Sequence, residues 1–465
     1  MKKHHLIILV HAISLCLISC EKSEFLEKKP RTDIVVANTL TDFNNLLENT
    51  AALNYTGGLA QMASDDYQIP LYNDWQNLST NRQRNSYIWA KDLYAGEQPI
   101  VDWNSPYKSI FYANAVLDGL EESKEANTAR ANYLKGWALF VRAYAFYDLI
   151  RNFCASYDRS SANTDLGIPL RLTSAIEHIE KRSTLQKSFD QVINDLLLAE
   201  TFLPAERPSA NLNRPSKIAV YALLARISLD MREYVTAENY ADKSLMLYDK
   251  LIDYNGVSKT STTPFSIKND ELIFRSLQVP THFELTGNSV TSIAKISTDL
   301  IASYSPADLR LSLYFAHNAN TNTYTIKRGY GGSGNYPFTG LATDELYLIK
   351  AECLARRNEA TSAMEKLNQL LANRFPKTGP MVFVPLKATS PEDALEKVLM
   401  ERRKELVFRG LRWHDLKRLN KEGAGISLTR MLNGINYQLP ANDPRWVFPI
   451  PDEEIMASGI QQNPR

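Results

Sequence analysis

"WNSPYKSIFYANAVLDGL" (residues 103–120) and "NYLKGWALFVRAYAFYDLIRNF" (residues 132–153) decide the fold class of this chain. In the first stretch Trp103, Tyr107, Ile110, Phe111, Asn114 and Leu117 recur at steps of three and four, the spacing of one face of an α-helix. In the second, Tyr133, Trp137, Phe140, Val141 and Tyr144 do the same. Two long amphipathic helices in succession predict an antiparallel pair.

The same period appears further on, as an internal repeat. Tyr221, Ala225, Tyr234 and Ala237 return 126 residues later as Tyr347, Ala351, Ala360 and Ala363. Bulky and small residues at this spacing are the pattern of tetratricopeptide-like helix pairs, in which the small side chains let two helices approach closely. Lys350 stands where the first copy has Leu224, so the repeat is degenerate, and the copies are separated rather than tandem. Between them, residues 253–343 read differently. "TNTYTIKRGYGGSGNYPF" (321–338) has a short alternating run and then a glycine-rich loop. The expected architecture is mainly α, a scaffold of helix pairs carrying loop-rich insertions with a few short strands.

Composition limits the function. The 465 residues are 44% hydrophobic, enough for a large core, and length alone suggests two or three domains. The 53 Lys and Arg balance 52 Asp and Glu, which excludes a basic field for nucleic acid. The chain opens with Lys2, Lys3, His4 and His5, then an apolar run from Leu6 to Ile18 too short for a membrane span. That is the order of a secretory signal, and its end, Leu17-Ile18-Ser19-Cys20, has the form of a bacterial lipobox. Residues 1–19 are therefore expected to be removed and Cys20 lipidated, anchoring the protein to a membrane through acyl chains. The charged segment 20–30 then acts as a tether. Cys154 and Cys353 lie far apart in helical patterns and are expected to be buried fillers, not a disulfide or metal site.

No catalytic or cofactor signature stands up. Gly329-x-Gly331-x-x-Gly334 matches a dinucleotide fingerprint in form, but "NYPF" follows where a helix would have to begin. "ERRKELVFRGLRWHDLKRL" (401–419) is dense in charge, yet Leu406, Trp413 and Leu416 make an apolar stripe and the charges fall at ion-pair spacing. Neither metal ligands nor a cofactor is expected, and the chain does not read as an enzyme. "SDDYQIPLYNDWQNLSTNRQRNSYIW" (64–89) is more suggestive. Tyr67, Tyr72, Trp75, Tyr87 and Trp89 alternate with amides, carboxylates and arginines without helical or strand periodicity. Flat rings stack on sugar faces while polar groups meet hydroxyls, so this segment is the expected binding element.

Several segments, in order along the whole chain, resemble the SusD/RagB family of outer-membrane lipoproteins from Bacteroidetes. They are the lipobox with "FLEKKP", the helix at 103–114, "LKGWALFVRAYAFYDLIRNF", "DELYLIKAECLARRN", "ERRKELVFRGLRWHDLKRL" and the ending "FPIPDEEIMASGIQQNPR". The chain departs from that pattern at Arg409, where a glutamate is frequent, and at its last residue, Arg465. The resemblance implies a SusD-like domain over 31–465, with an N-terminal part to about 250 and a C-terminal SusD/RagB part from about 251. It also implies a surface lipoprotein that sits as a lid on a TonB-dependent SusC-like transporter and delivers oligosaccharide to it. On that reading Tyr72 and Trp75 are the expected stacking residues, Asp74, Asn77 and Arg82 the polar partners, and Tyr330 and Tyr336 a second wall. Two rivals remain: a RagB-like peptide carrier, and a tetratricopeptide-type protein adaptor.

Overall fold

The long helical patterns fold as their period dictates. In the computed structural model, which describes residues 37–465 apart from Asn288, Val290, Arg328 and Ser333, nine helices have ten residues or more. They are α1 (Val101–Glu122), α2 (Ala129–Phe153), α3 (Leu185–Phe202), α4 (Lys217–Asp230), α5 (Tyr234–Leu247), α6 (Thr343–Arg356), α7 (Ala360–Leu371), α8 (Pro391–Glu405) and α9 (Arg412–Lys421). Thr39–Arg465 form one compact unit. The signal segment 1–19, Cys20 and the tether 20–30 lie outside the described residues.

Polar caps set where the helices begin. Thr128 accepts from the Ala131 amide at the start of α2, Thr184 from Lys187 at α3, and Ser390 from Asp393 at α8, where Pro391 occupies the first turn. α1 packs on α2 and α2 on α3; α4 pairs with α5, α5 leads to α6, and α6 packs on α7 and α8. The pairing of α1 with α2 is the one the sequence predicts. α2 goes further than its single stripe, because every residue from Gly136 to Phe153 is buried, with neighbours on all sides. Two members of the expected stripes fall outside the core: Phe111, on the margin of the α1 stripe, is 39% exposed, and Tyr133 is half-buried.

The 126-residue repeat extends to the backbone. α4 and α6 begin and end 126 residues apart, as do their turns. Arg232 and Asn358 both adopt left-handed φ, 63° and 69°. Each turn closes with the same bond: the Glu233 amide donates to the Ser228 carbonyl at 2.8 Å, and the Glu359 amide to the Leu354 carbonyl at 2.9 Å. Ala225, Ala237, Ala351 and Ala363 are fully buried between the helices.

Between the repeats, residues 253–343 are loop-rich, as expected, with short helices and strands of two to four residues. Lys295–Ile296 pairs antiparallel with Tyr67–Gln68, and Leu277–Gln278 pairs parallel with Tyr55–Thr56, which fixes this insertion against the N-terminal segment. Phe315–Asn318 and Thr323–Ile326 form a hairpin. A second hairpin, Leu428–Leu432 with Ile435–Leu439, turns at Asn433 and Gly434, whose φ of 49° and 75° suit a two-residue type I′ turn.

Two local expectations are corrected. The 401–419 stretch is not one helix: it breaks after Glu405, with Phe408 and Gly410 at positive φ, and restarts as α9. Its charges mostly make long-range buried pairs instead of local ones. Residues 64–89, read as aperiodic, hold short helices at Tyr72–Gln76 and Asn81–Tyr87, the second capped by Thr80. Segments of one or two turns are too short for periodicity to show.

A buried ionic network holds the insertion to the last repeat. Arg310, wholly buried, donates to Asp308 at 2.6 and 2.9 Å, to Glu401 at 2.6 Å and to Glu405 at 2.9 Å. Arg374, equally buried, bridges Glu405 at 2.7 Å and Glu271 at 2.6 Å and donates to the Ile252 carbonyl. Replacing Arg310 by Met leaves three buried carboxylates facing one another. Stability measured by denaturant titration should fall by about 3–5 kcal/mol at neutral pH, and by less in acid, where the carboxylates protonate. An unchanged midpoint would show that the network does not carry the fold.

Candidate functional site

The site is built on one arginine. Arg430, from the Leu428–Leu432 strand, is buried among three of the aromatics of 64–89. Its guanidinium lies 3.8 Å from the ring centre of Tyr87, 4.8 Å from Trp89 and 5.1 Å from Tyr67. It also donates to the backbone carbonyls of Tyr87 and Ser64. Sequence cannot divide the five aromatics of this segment; the structure does. Tyr67, Tyr87 and Trp89 face inward as the floor, while Tyr72 and Trp75 stay half-buried.

Above this floor lies a polar groove of about 480 Å³ between the 65–70 segment and the Leu428–Leu432 strand. Asp65, Gln68, Asp299, Arg403 and Thr429 line it, with Met431 on its rim. Asp65 is held by Arg412 at 2.8 and 2.9 Å and by Arg403 at 3.0 Å. Burial alone would raise the Asp65 carboxyl, but the two guanidinium groups outweigh it and bring it down to about 2. Its neighbour Asp66 behaves in the opposite way. Burial and the Asp65 charge push the Asp66 carboxyl up to about 6, and its Oδ1 has no hydrogen-bond partner.

Four of the expected site residues share one surface element. Tyr72, Asp74 and Trp75 lie on the Tyr72–Gln76 helix and Asn77 caps its end. Tyr72 and Trp75 stack, with centroids 5.5 Å apart and planes at 26°. The Trp75 indole donates to the Arg84 carbonyl at 3.1 Å, which fixes the ring. Arg84 in turn donates to the Leu78 carbonyl and to Asn81, stapling the 72–76 and 81–87 helices together. Arg84 and Arg430 are the organising residues that sequence reasoning missed. The strand alternation that buries Arg430 was the available signal, and it was masked by Arg430 being charged.

The other expected residues are dispersed. Arg82 is buried, 8% exposed, and its guanidinium donates to the Pro99 carbonyl, away from the surface. Tyr330 is half-buried, with its ring under Arg409 at 4.5 Å and its hydroxyl donating to Glu271 in the ionic network. Tyr336 is half-buried against Phe283, ring centres 6.1 Å apart. Next in sequence, Glu284 accepts from the Ser79 hydroxyl at 2.6 Å, so the Tyr336 patch borders the 72–80 segment. Tyr336 is thus brought towards the Trp75 element, and Tyr330 is not.

Among the described residues one trio of acids could in geometry hold a metal: Glu271, Asp344 and Glu405, with oxygens within 4.8 Å of one another. Arg374 and Arg310 hold Glu405, Arg374 holds Glu271, and Arg409 donates to Asp344 at 2.6 Å, so the set is already neutralised by cations. Arg409 therefore closes this network. Around Gly329–Gly334 no helix follows until Thr343, consistent with rejecting a nucleotide loop. Cys154 and Cys353 are buried and unpaired, as expected.

Two family models match, one described as "Starch-binding associating with outer membrane" over residues 24–229 and one as "SusD family" over residues 317–465. The chain belongs to the SusD/RagB family. The SusD-like protein P38 of Formosa agariphila is 23% identical over 400 residues, covering 72% of this chain and 74% of its own. A SusD superfamily protein from Bacteroides thetaiotaomicron superposes with a TM-score of 0.72 at 22% identity, over 92% of this chain and 100% of the other. A putative sugar binding protein from Bacteroides vulgatus gives 0.70 at 22% identity, over 92% and 98%. These superpositions establish the SusD-like fold. SusD/RagB proteins are non-catalytic outer-membrane lipoproteins associated with nutrient binding and with uptake through a SusC partner. Among the described residues no helix is long and apolar enough to cross a membrane.

The Asp66 carboxyl gives a pH test of the groove. Its proton is held more tightly in the folded state than in the unfolded chain, so the stability it contributes below about pH 4 is lost as pH rises through about 6. Asp66→Asn removes that titration. The stability of the native protein relative to Asp66→Asn should decline by about 1–3 kcal/mol between pH 4 and 7 in denaturant titrations. A constant difference would show that folding leaves the Asp66 carboxyl unshifted.

Proposed function

We infer that this SusD/RagB protein is a surface lipoprotein, anchored through Cys20 and carried on the 20–30 tether, that binds an oligosaccharide and passes it to a TonB-dependent SusC-like transporter. The observation that carries this reading is the pairing of a pre-fixed aromatic shelf, Tyr72 on Trp75, with a polar groove on the same 64–89 segment. Stacking supplies contact with the apolar face of a sugar ring. Asp74 and Asn77 beside the shelf, and Gln68, Asp299 and Arg403 in the groove, supply partners for its hydroxyls. Tyr336, bordering Ser79, serves as the second wall. The descriptions of the starch-associated family model and of the B. vulgatus sugar binding protein support the same ligand class. Because a carrier must release its cargo, an affinity in the micromolar to millimolar range is expected, about −8 to −4 kcal/mol.

One observation favours the peptide-carrier reading as the alternative. The two-residue turn makes Leu432 and Ile435 a hydrogen-bonded pair, so the backbone groups of Thr429 and Met431 point away from their partner strand, on the side of the groove. An extended peptide can add to such an edge. Calorimetry of the purified protein against panels of oligosaccharides and peptides separates the two. Trp75→Ala should weaken oligosaccharide binding about tenfold, the equivalent of one lost stacking contact. Peptide binding that is indifferent to Trp75→Ala would overturn the glycan reading.

A further inference from the structure

A second cleft lies far from the groove in sequence, between the loop after α2, helix α9 and the C-terminal segment. It has a volume of about 540 Å³ and is lined by Asp165, Lys417, Asn420, Asn442, Trp446 and Asn463 among others. At its inner end Ala155, Ser156 and Lys417 also line a smaller pocket of about 30 Å³, reaching back to Arg151, His414 and Arg418. That volume holds one or two water-sized groups.

The inner pocket is unusual in its charges. Lys417 is 7% exposed, and its ammonium donates only to two backbone carbonyls, Arg151 at 2.9 Å and Cys154 at 3.0 Å. Among the described residues it makes no ion pair, although buried charges ordinarily do. One of its three donor hydrogens is left over. Arg151, 8% exposed, spends Nε and Nη2 on Asp148, but its Nη1 has no partner among the described residues. His414, 5% exposed, has an unpartnered Nε2. Arg418 is satisfied by Glu352 and Asp415. The single acid on the lining, Asp230, is engaged by the Tyr147 hydroxyl. The field is correspondingly positive: burial, then the charges of Arg151 and Lys417, hold His414 well below its ordinary range.

We propose that the pocket behind Lys417 is a binding site for a small monovalent anion, held by the free donors of Lys417 and Arg151, with a water between it and His414. This inference is independent of the oligosaccharide reading, since the site shares no residue with the groove or the shelf. A halide from the medium and the carboxylate end of a ligand seated in the outer cleft share the required chemistry.

Crystals of the protein grown in sodium bromide test it directly. An anomalous peak is expected within contact distance of both Lys417 Nζ and Arg151 Nη1; bromide peaks confined to other places would overturn the site. In solution, the line width of chloride should broaden with the unmodified protein, and the broadening should fall about tenfold in affinity terms for Lys417→Gln. A folded Lys417→Gln protein that broadens chloride as before would also overturn it. Formate should displace chloride. Displacement by glucuronate but not by glucose assigns the outer cleft to a carboxylated ligand; displacement by formate alone restricts the site to free small ions.

Discussion

The sharing of Glu405 between Arg374 and Arg310 is the contact on which the rest of the structure depends. Glu405 ends α8. Arg374 follows α7, and Arg310 belongs to the insertion between the repeats. One carboxylate therefore ties the two halves of the last helical layer to the irregular segment that pairs, through Lys295–Ile296, with Tyr67–Gln68. Such a cluster is stable only when every member is satisfied, since an unpaired charge at this depth costs several kcal/mol. The protein meets that condition with further acids, Asp308, Glu401 and Glu271, and with the Tyr330 hydroxyl. Burial nonetheless keeps Glu271 raised to about 7, the charge of Arg374 notwithstanding.

The groove follows from this arrangement. Its walls come from segments with little regular structure of their own, fixed by arginines that reach backbone carbonyls or the Asp65 carboxylate. Arg430 joins the 428–432 strand to Ser64 and Tyr87, Arg84 joins the two short helices, and Arg403 and Arg412 hold Asp65. Guanidinium groups suit this task because they are always charged, planar and able to donate in several directions while stacking on rings.

The scaffold was legible in the sequence because its helices are long enough for period to accumulate. The 126-residue spacing of Tyr221, Ala225 and Ala237 predicted a repeat whose helices and turns match. The buried stripe of α1 was also foreseen, apart from Phe111. The candidate site was legible only as a region. Composition alone cannot tell which of five aromatics in 64–89 face inward, since Tyr and Trp serve both core and surface. Arg82 and Tyr330 looked like ligand partners for the same reason, and both spend their polar ends on the protein itself. The break at Phe408–Gly410 was hidden by charges that read as one continuous helix but pair across the fold.

The left-handed turns at Arg232 and Asn358 have a further consequence. They give the two repeats the same turn between their helices, so the second helix of each pair leaves the first with matching geometry whatever comes between the repeats. The ninety or so residues from 253 to 343 are in effect an interchangeable cassette mounted on a standard frame. Altering the length or chemistry of that cassette changes what the molecule presents without asking the frame to fold differently, provided that Arg310 and Glu271 remain to bolt it in place.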